Sequence, residues 1–568
     1  MAITRNAMFV FALALTGVAS VRTAAETAAG AYDNMWVHLH HGGLYSDKDL
    51  LFASNVLVRA AKAGIKEVMW PGGLDTYWCW PAANKARFLE AKRIADANGI
   101  GILPMIWSTG YGTMSGVDAG LVESVFMQDI PYVAKGGRLV PDHGTGQLAK
   151  NGGFEQFGKR PDTFAAWGAE RPGVISFVDT NIFHSGRASI RLEPGPGKDK
   201  YDHARVWQHT AVKPGRLYCV SAWFRVDGIA PNEIGEMLKL HVYLDKDGKG
   251  AWNGGKHVRL EADGVEWRKI TFEFASGEAN GARIWCGTWG AKKGRYWVDD
   301  IVMEEVGLKW IALREDSPRT VRNAATGKVY ELGKDWLNPP KRWRHPSEIE
   351  FPLPKGSAIK EGEKVFLDTY VPGTSGPKMQ ISTCMSDPKL YELFRKSAEA
   401  LEEVLHPKKW FLSLDEVRNG GTCHLCAARK TDMAHILGEC VLKQHEIIRS
   451  VHPGAEIYVW SDMFDPFHNA KDQVCGCRGT FKGVWDLIPH DIVMVLWHGG
   501  VLDKSIPFFT ERGFRVMGSV CCDSKKMEHV RKWKTALDAV PGAKGFMYTT
   551  WRRDFDQLED FTKIILEK

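Results

Sequence analysis

Short apolar runs alternate with helix-like amphipathic stretches along most of the chain. Eight such runs, most of them ending in polar, Gly or Trp residues, lie at 35–43, 65–73, 100–110, 409–416, 456–466, 491–500, 514–524 and 544–554. This alternation is typical of parallel strands that are joined by crossover helices. The pattern therefore predicts an α/β fold, a (β/α)8 TIM barrel, whose functional side chains lie where the strands end.

The interval between the third and fourth apolar runs is roughly 300 residues long, far beyond an ordinary connection. From "NGGFE" at 151–155 the chain reads as short alternating strands that are separated by turn residues. This spacing predicts an inserted β-sandwich of the jelly-roll type at 148–306, followed by a β-rich connector at 307–371. Barrel strands 1–3 are then expected within 31–147, and barrel strands 4–8 within 372–568.

The first twenty residues, "MAITRNAMFVFALALTGVAS", combine an early Arg with an apolar run and small residues. This order is typical of a secretory signal peptide, which we expect to span residues 1–25, with cleavage after Ser20 or Ala25. No later segment is apolar enough to span a bilayer. The sequence thus predicts a secreted or periplasmic protein with no membrane span after cleavage.

Composition narrows the class of partner. The formal net charge of +6 is spread over 74 basic and 68 acidic residues with no long basic run, which argues against nucleic acid as the main partner. The chain contains 22 Trp residues. Flat apolar side chains in this number favour a poly- or oligosaccharide partner, because sugar rings stack on them, although core packing accounts for many of them.

Two carboxylates, Asp415 and Glu416, stand side by side where the fourth apolar run ends. Hydrolysis of a glycosidic bond needs one group that protonates the leaving oxygen and another that stabilises or attacks the anomeric carbon. A nearby like charge and an aromatic pocket would raise the pKa of the acid so that it keeps its proton near neutral pH. The pair is therefore the predicted catalytic centre.

The insert resembles carbohydrate-binding modules of the family 4/9 jelly-roll type. The resemblance rests on "NGGFE", "HSGRAS", "VKPGRLYCVSAWFRV" and "YWVDDIVMEE". It implies the sandwich fold and a glycan-binding role. Trp223, in an alternating strand, is predicted to be a core residue, whereas Trp252, in the Gly-rich "KGAWNGGKH" loop, is predicted to be an exposed stacking platform.

The barrel resembles family 20-like glycoside hydrolases, the β-N-acetylhexosaminidase type, in its Asp-Glu pair after strand four. The resemblance implies that Glu416 is the general acid and that Asp415 orients a substrate 2-acetamido group, which acts as the nucleophile. It also implies a tryptophan-lined pocket of Trp460, Trp497 and Trp551. The segment "FLSL" before the pair departs from the pattern of that family. The resemblance therefore leaves open substrates that lack a 2-acetamido group. The chain also resembles secreted proteins of polysaccharide-degrading bacteria that share "WSDMFDP".

Further strand-end residues are predicted to contact substrate. A retaining enzyme needs a nucleophile about 5 Å from the acid, and Asp523 is the alternative for that role, with Asp462 another candidate. Sugar hydroxyls or faces could be bound by histidine, aromatic and arginine side chains at the other strand ends: His40, His41, Trp70, Trp107, Arg418, His498 and Tyr548. Each of these side chains could instead have a structural role.

The cysteines suggest a metal site or disulfides that stabilise the loops beside the predicted catalytic centre. The chain contains eleven Cys, an odd number. In an oxidising compartment at least one of them should therefore be free or metal-bound. Cys423 and Cys426 follow the fourth run, and Cys475 and Cys477 follow the fifth, so the two pairs could bind structural Zn²⁺ or form disulfides. No cofactor is predicted beyond a structural Zn²⁺ or Ca²⁺. Two other functions stay open, a noncatalytic glycan-binding protein and a metal-dependent hydrolase.

Overall fold

The structure is a computed structural model, and the part of the chain that it describes comprises several ranges. The predicted signal peptide at 1–25 lies outside them, as do His41 and Trp252. The described residues are 32–40, 43–144, 146–193, 203–228, 238–251, 257–259, 266–277, 279–288, 294–312, 314, 316–340, 345, 347–375, 380–523 and 527–567.

Eight parallel strands form a closed barrel in chain order. The ring closes where strand 1 pairs with strand 8, with Trp36 opposite Met547. The prediction of eight parallel strands in this order is confirmed. Barrel strands 1 to 8 are Asn34–His38, Glu67–Trp70, Gly101–Ile106, Lys409–Leu412, Glu456–Trp460, Val493–Leu496, Arg515–Cys521 and Gly545–Thr549.

Most crossovers between barrel strands contain an α-helix, but the one after strand 5 does not. In residues 461–492, all described, the chain forms only short 3-10 turns. The barrel thus departs from the regular (β/α)8 alternation at that crossover. The α-helices of the described chain are Asp47–Lys62, Ala82–Ala97, Pro388–Leu405, His424–Ala428, Met433–Val451, Leu502–Thr510, Glu528–Asp538 and Leu558–Leu566.

The insert forms two facing antiparallel sheets around their own apolar core. Alternating side chains of both sheets fill that core, as a β-sandwich requires. The first sheet contains Ser176–Asp179, Ser189–Leu192, Leu217–Asp227, Arg268–Ala275 and Arg295–Val306. The second contains Gly168–Ala169, Arg205–Ala211, Leu238–Lys246, Lys249–Ala251, His257–Arg259 and Gly281–Thr288.

A further six-stranded sheet joins the chain before the sandwich to the chain after it. Ser124–Lys135, which the sequence places in the barrel segment 31–147, pairs with Lys364–Pro372 of the predicted connector. The segment 31–147 therefore supplies more than barrel strands. The other strands of this sheet are Arg138–Pro141, Thr320–Asn323, Val329–Tyr330 and Phe351–Pro352, and a separate small hairpin is formed by Thr374–Ser375 and Gln380–Ile381.

Side chains of the barrel strands divide into two packed layers. One set fills the barrel interior, including Trp36, Phe411 and Trp460. The alternate set packs between the strands and the surrounding helices, including Trp70 and Tyr548. Because consecutive strand residues point to opposite faces, the register of each strand decides which side chains can reach a site at the barrel end.

Candidate active site

A pocket of about 220 Å³ opens at the carboxyl ends of the barrel strands. Its lining comes from the ends of strands 3, 4, 5, 6 and 8, where functional side chains of such barrels collect. Five of the six lining residues were predicted from the sequence, and Tyr111 is the addition. The lining is Tyr111, Asp415, Glu416, Trp460, Trp497 and Trp551.

A left-handed turn lets Asp415 and Glu416 line the same pocket. Neighbours along a regular strand point to opposite faces. Strand 4 ends at Leu412, and Glu416 has φ 48°, in the left-handed region that side chains rarely adopt. Backbone strain of this kind is concentrated at functional sites and persists only where surrounding contacts hold it.

The loop after strand 3 supports this turn by direct backbone packing. Gly110 lies so close to it that a Cβ atom there would be 2.2 Å from the Asp415 carbonyl oxygen. Gln380 Nε2 donates to the carbonyls of both Gly110 and Glu416, at 3.0 and 3.2 Å. Any side chain at position 110 would therefore force the carboxylate pair or the Tyr111 loop to shift.

Three neighbours fix Glu416. Tyr111 Oη donates to Glu416 Oε2 at 2.5 Å, and Arg418 Nη2 donates to the same oxygen at 2.9 Å. The Glu416 backbone N–H donates to Asp462 Oδ2 at 3.0 Å. Arg418 is itself held by Gln380 Oε1 at 2.8 Å. Arg418, predicted to bind sugar, therefore lies at the site through its contact with Glu416.

Asp462 lies behind the pocket and does not line it. It is fully buried and accepts hydrogen bonds from Asn469 Nδ2 at 2.8 Å and Trp497 Nε1 at 3.4 Å, besides the one from Glu416. These contacts join the ends of strands 4, 5 and 6. Asp462 therefore positions Glu416 and Trp497, where the sequence predicted a substrate contact or nucleophile.

The carboxyl groups of Asp415, Glu416 and Asp462 interact electrostatically. Burial, with the charges of Asp462 and Glu416, raises the pKa of Asp415 to about 8. Burial raises the pKa of Asp462 to about 6, against the hydrogen bonds that it accepts. Because like charges this close cannot all ionise cheaply in a buried site, the group retains a proton near neutral pH.

This retained proton makes stability depend on pH. An acid with a higher pKa in the folded chain stabilises the fold fully below its unfolded pKa of 3.8, and that contribution is lost as pH rises through about 8. We expect the free energy of unfolding to fall between roughly pH 5 and pH 8 and Asp415→Asn to flatten this decline. Urea unfolding at several pH values measures both slopes.

The control for this experiment is Glu403→Gln, which removes an exposed carboxylate on helix Pro388–Leu405. It should leave the pH slope unchanged. If Asp415→Asn and wild type have parallel profiles over this range, Asp415 does not hold the proton.

Aromatic side chains form the floor and rim of the pocket. Trp460 is 1% exposed and packs edge-on against Phe411 in the barrel interior, with ring centroids 4.9 Å apart. Trp551 is 42% exposed at the rim, 6.4 Å from Trp460. The Trp460, Trp497 and Trp551 set predicted from the sequence is thus brought together around one pocket.

Histidines surround this aromatic set. His40 packs edge-on against Trp551 at 5.3 Å, and the buried His38, which was not among the predicted residues, does the same at 5.0 Å. His498 is exposed and lies 4.7 Å from His468. His468 packs at 4.4 Å against Trp497, and burial lowers its pKa to about 4, so it is neutral at neutral pH. None of these histidines lines the pocket.

Three predicted contact residues point away from the pocket. Trp70 packs edge-on against Phe88, and Trp107 stacks on Phe394 at 4.6 Å. Tyr548 is fully buried and donates to the Asp554 carbonyl at 2.8 Å. All three belong to the layer between strands and helices. Their predicted substrate contacts are wrong. Strand register turns Trp70 and Tyr548 toward the helices, whereas Trp107 follows the end of strand 3 with φ 59°, a left-handed conformation that breaks the alternation.

Asp523 holds the loop that carries Trp551. Its carboxylate accepts hydrogen bonds from Thr550 Oγ1 at 2.5 Å and from the Trp551 backbone N–H at 2.9 Å. It is not part of the pocket lining. Asp523 therefore positions the rim tryptophan, and the prediction that it is a nucleophile finds no support in this arrangement.

The four predicted cysteine ligands do not meet. Cys477 is buried, accepts from the Gly420 N–H at 3.2 Å and donates to the Val417 carbonyl at 3.3 Å. Cys423 and Cys426 lie instead against Cys384. All eleven cysteines fall within the described residues, and none of them forms a disulfide there. The predicted Cys423, Cys426, Cys475 and Cys477 set, as a metal site or as disulfides, is therefore wrong.

The remaining site residues carried weak sequence signals. Tyr111 follows strand 3 in "STGYGT", so strand-end position alone could have indicated it. Asn469 lies in the "WSDMFDPFHNA" segment that supplied Asp462. Gln380 comes from a hairpin outside the barrel, and no local pattern connects it to the site.

Comparison with known proteins identifies one part of the chain. A family model described as "Carbohydrate binding domain" matches residues 146–285 and does not extend to the barrel strands that carry the pocket. A search of curated protein sequences found no match. Within the described residues, the helices are too short or too polar to cross a membrane.

Three solved structures illustrate the likeness. TmCBM61 in complex with beta-1,4-galactotriose is 14% identical, covering 28% of this chain and all of that one, with TM-score 0.21. The structure titled "CBM4 structure and function" is 16% identical, covering 28% and 99%, with TM-score 0.20. The CBM22-1 xylan-binding domain from Paenibacillus barcinonensis Xyn10C is 16% identical, covering 27% and 91%, with TM-score 0.20. At these TM-scores the likenesses carry no argument.

Proposed function

We propose that the barrel pocket hydrolyses a glycosidic bond and that the sandwich binds the glycan. The observation that carries the proposal is the group of interacting carboxyls beneath an aromatic pocket. Acid catalysis of glycoside cleavage needs a proton held at the site near neutral pH, and Asp415, which lines the pocket beside Glu416 and has a pKa raised to about 8, holds one there. The three tryptophans supply apolar faces on which a sugar ring can stack.

Exposure divides the roles within the carboxylate pair. The Glu416 side chain is 31% exposed, whereas Asp415 is 8% exposed and lies deeper. Glu416 is therefore the group that meets the leaving oxygen as the general acid. Asp415 stabilises or orients the substrate from beneath. The family 20 resemblance adds the finer proposal that Asp415 orients a 2-acetamido group.

The lining favours a substrate-derived nucleophile over a distant enzymic one. Among the described residues, Asp415 and Glu416 are the carboxylates that line the pocket. Asp523 is engaged by Thr550 and Trp551. A pocket of about 220 Å³ suits a group the size of one sugar ring, which favours cleavage at a chain end.

One observation favours noncatalytic glycan binding as the second candidate. Arg418 and Tyr111 both donate to Glu416 Oε2, so this oxygen already serves as a hydrogen-bond acceptor, the role that it would have in binding sugar hydroxyls. Under this alternative the pocket binds a sugar and releases it intact.

Turnover on a panel of glycosides separates the two candidates. The panel should contain aryl glycosides of neutral sugars, acidic sugars and 2-acetamido sugars, assayed with full-length protein. Release of the aryl group from any member supports hydrolysis, and a response confined to 2-acetamido members supports the role of Asp415. Binding of a free sugar, with no turnover of any panel member, would support the noncatalytic candidate.

The sandwich offers a surface for glycan binding. On its second sheet Trp207 lies opposite Trp285, with ring centroids 4.9 Å apart, and the Arg205 guanidinium lies 4.8 Å from the Trp285 ring. Val206 and Ile284, which precede the two tryptophans on their strands, point into the sandwich core. The tryptophans therefore face the opposite side of the sheet. A paired aromatic platform of this kind suits a sugar ring.

We expect Trp285→Ala to weaken glycan binding by the full-length protein about fivefold or more, because truncation of a central aromatic contact typically costs over about 1 kcal/mol. Affinity electrophoresis against immobilised polysaccharides measures the effect. Trp223→Ala is the matched control, since Trp223 stacks on His184 on the other sheet, at 3.9 Å. Equal affinities of wild type and Trp285→Ala would place the binding surface elsewhere.

A further inference from the structure

Three cysteines and a glutamate form a buried cluster beside the loop that carries Glu416. The donor atoms of Glu123, Cys384, Cys423 and Cys426 all lie within 4.8 Å of one another. Each of the four residues is at most 1% exposed. Within the described chain this is the one group of three or more His, Cys, Asp or Glu residues that is close enough to share a metal ion.

The distances within the cluster match a tetrahedral zinc site. Zn–S bonds of about 2.3 Å and Zn–O bonds of about 2.1 Å imply S···S edges of about 3.8 Å and S···O edges of about 3.6 Å. Cys384 Sγ lies 3.3 Å from Cys423 Sγ and 3.7 Å from Cys426 Sγ. Cys426 Sγ lies 3.6 Å from Glu123 Oε2. The second and third of these distances match the expected edges, the first is shorter, and no pair of donors is more than 4.8 Å apart.

Surrounding groups orient the donors. The Cys423 backbone N–H donates to Glu123 Oε1, which leaves Oε2 directed at the sulfurs. Cys426 Sγ lies 3.1 Å from Ser386 Oγ. Arg314 Nη1 lies 3.7 Å from Cys384 Sγ and 3.6 Å from Cys423 Sγ. Outer contacts of this kind fix ligand orientation in metal sites.

Charge also favours a cation at this position. A buried carboxylate is costly unless it is paired or coordinates a metal. Three thiolates and one carboxylate would carry four negative charges, which the two charges of Zn²⁺ and the one of Arg314 largely offset. Thiolate donors select zinc and other soft metals, whereas Ca²⁺ and Mg²⁺ take oxygen donors.

The four donors come from three separate parts of the chain. Glu123 immediately precedes strand Ser124–Lys135, where the chain leaves the barrel, and Cys384 lies where it returns, before helix Pro388–Leu405. Cys423 and Cys426 follow Glu416 after strand 4. A metal here would pin both ends of the long excursion to the active-site loop. Four protein ligands complete the coordination of a structural zinc ion and leave no open position for substrate.

We propose that Glu123, Cys384, Cys423 and Cys426 bind one structural Zn²⁺ ion. This inference does not depend on glycoside hydrolysis. The site replaces the cysteine set that the sequence suggested, because two of its ligands, Glu123 and Cys384, are remote from the Cys-x-x-Cys motif in sequence.

Metal analysis of the purified full-length protein tests the proposal. We expect about one equivalent of zinc per chain by mass spectrometry of the elements. Cys384→Ser and Glu123→Gln should each lower that content several-fold, whereas Cys477→Ser, the loss of a buried thiol near the same loop, should leave it unchanged. Less than about a fifth of an equivalent of zinc in folded wild type, or one equivalent of iron instead, would overturn the assignment.

A second measurement on wild type covers variants that fail to fold. Denaturation should release zinc to a chromogenic chelator together with the cluster's thiols, while native protein protects both. Cobalt exchanged into the site should show thiolate-to-metal charge-transfer absorption. A disulfide between any two of the three cysteines, found by mass spectrometry of peptides from unreduced protein, would contradict the proposal.

Discussion

Glu416→Gln is expected to lower kcat by about 10²–10⁴-fold on the glycan that wild type cleaves, because the amide has no proton to give to the leaving oxygen. Gln can still accept hydrogen bonds from Tyr111 and Arg418, which engage Oε2 in wild type. The fold and ligand affinity should therefore persist. Steady-state kinetics with circular dichroism and a binding measurement on the same samples check each part.

The leaving group of the substrate provides a second test of the acid role of Glu416. An aryl glycoside with a good leaving group needs little protonation, so Glu416→Gln should lose less activity on it than on a glycoside with a poor leaving group. Glu403→Gln, which removes an exposed carboxylate from a barrel helix, should match wild type on both kinds of glycoside. Equal losses on the two leaving groups would contradict the role of Glu416 as the acid.

Gly110→Ala is expected to lower activity by about 10²-fold although it adds only one methyl group, because misplacing catalytic groups by about 1 Å has effects of that size. The new Cβ would lie 2.2 Å from the Asp415 carbonyl oxygen and 3.1 Å from the Glu416 carbonyl carbon. Both atoms are backbone, so the carboxylate pair or the Tyr111 loop must shift. The Tyr111 contact with Glu416 would then be lost.

Gly116→Ala is the matched control for that variant, since no atom lies within 4 Å of a Cβ atom there and the residue belongs to the same loop region. Kinetics and thermal unfolding of both variants separate the two effects. Wild-type turnover by Gly110→Ala would show that the packing of this loop against Asp415 and Glu416 is not needed for activity.

The barrel could be predicted because its signal is local. Each strand is a short apolar run with a polar end, and parallel strands place those ends at one rim. This logic identified Asp415, Glu416 and the tryptophans of strands 5, 6 and 8. These residues could be identified from their position at the strand ends, without knowing the direction of their side chains.

Errors arose where a one-residue shift decides the face. Trp70 and Tyr548 lie within strands, and register turns both toward the helices. Trp223 was expected in the sandwich core, yet it stacks on His184 outside it. Alternating apolar and polar residues show that a strand has two faces, but bulky residues on the outward face obscure which one is buried.

The cysteine site was beyond sequence reasoning for a different reason. Cys423 and Cys426 form a recognisable pair, but their partners Glu123 and Cys384 lie at the two ends of the excursion between barrel strands 3 and 4. Those ends meet through backbone pairing between residues 121–123 and 382–384, a contact between segments that are remote in sequence. Gln380 reaches Glu416 by the same long-range route.

Hydrolysis in ¹⁸O-labelled water tests the central claim most directly. Full-length protein should be incubated with glycans of the responding class, and the products analysed by mass spectrometry. We expect wild type to form a free sugar with one ¹⁸O at its anomeric hydroxyl, and Glu416→Gln to form much less of it. An intact glycan, recovered after prolonged incubation with folded protein that binds it, would contradict catalysis by the pocket.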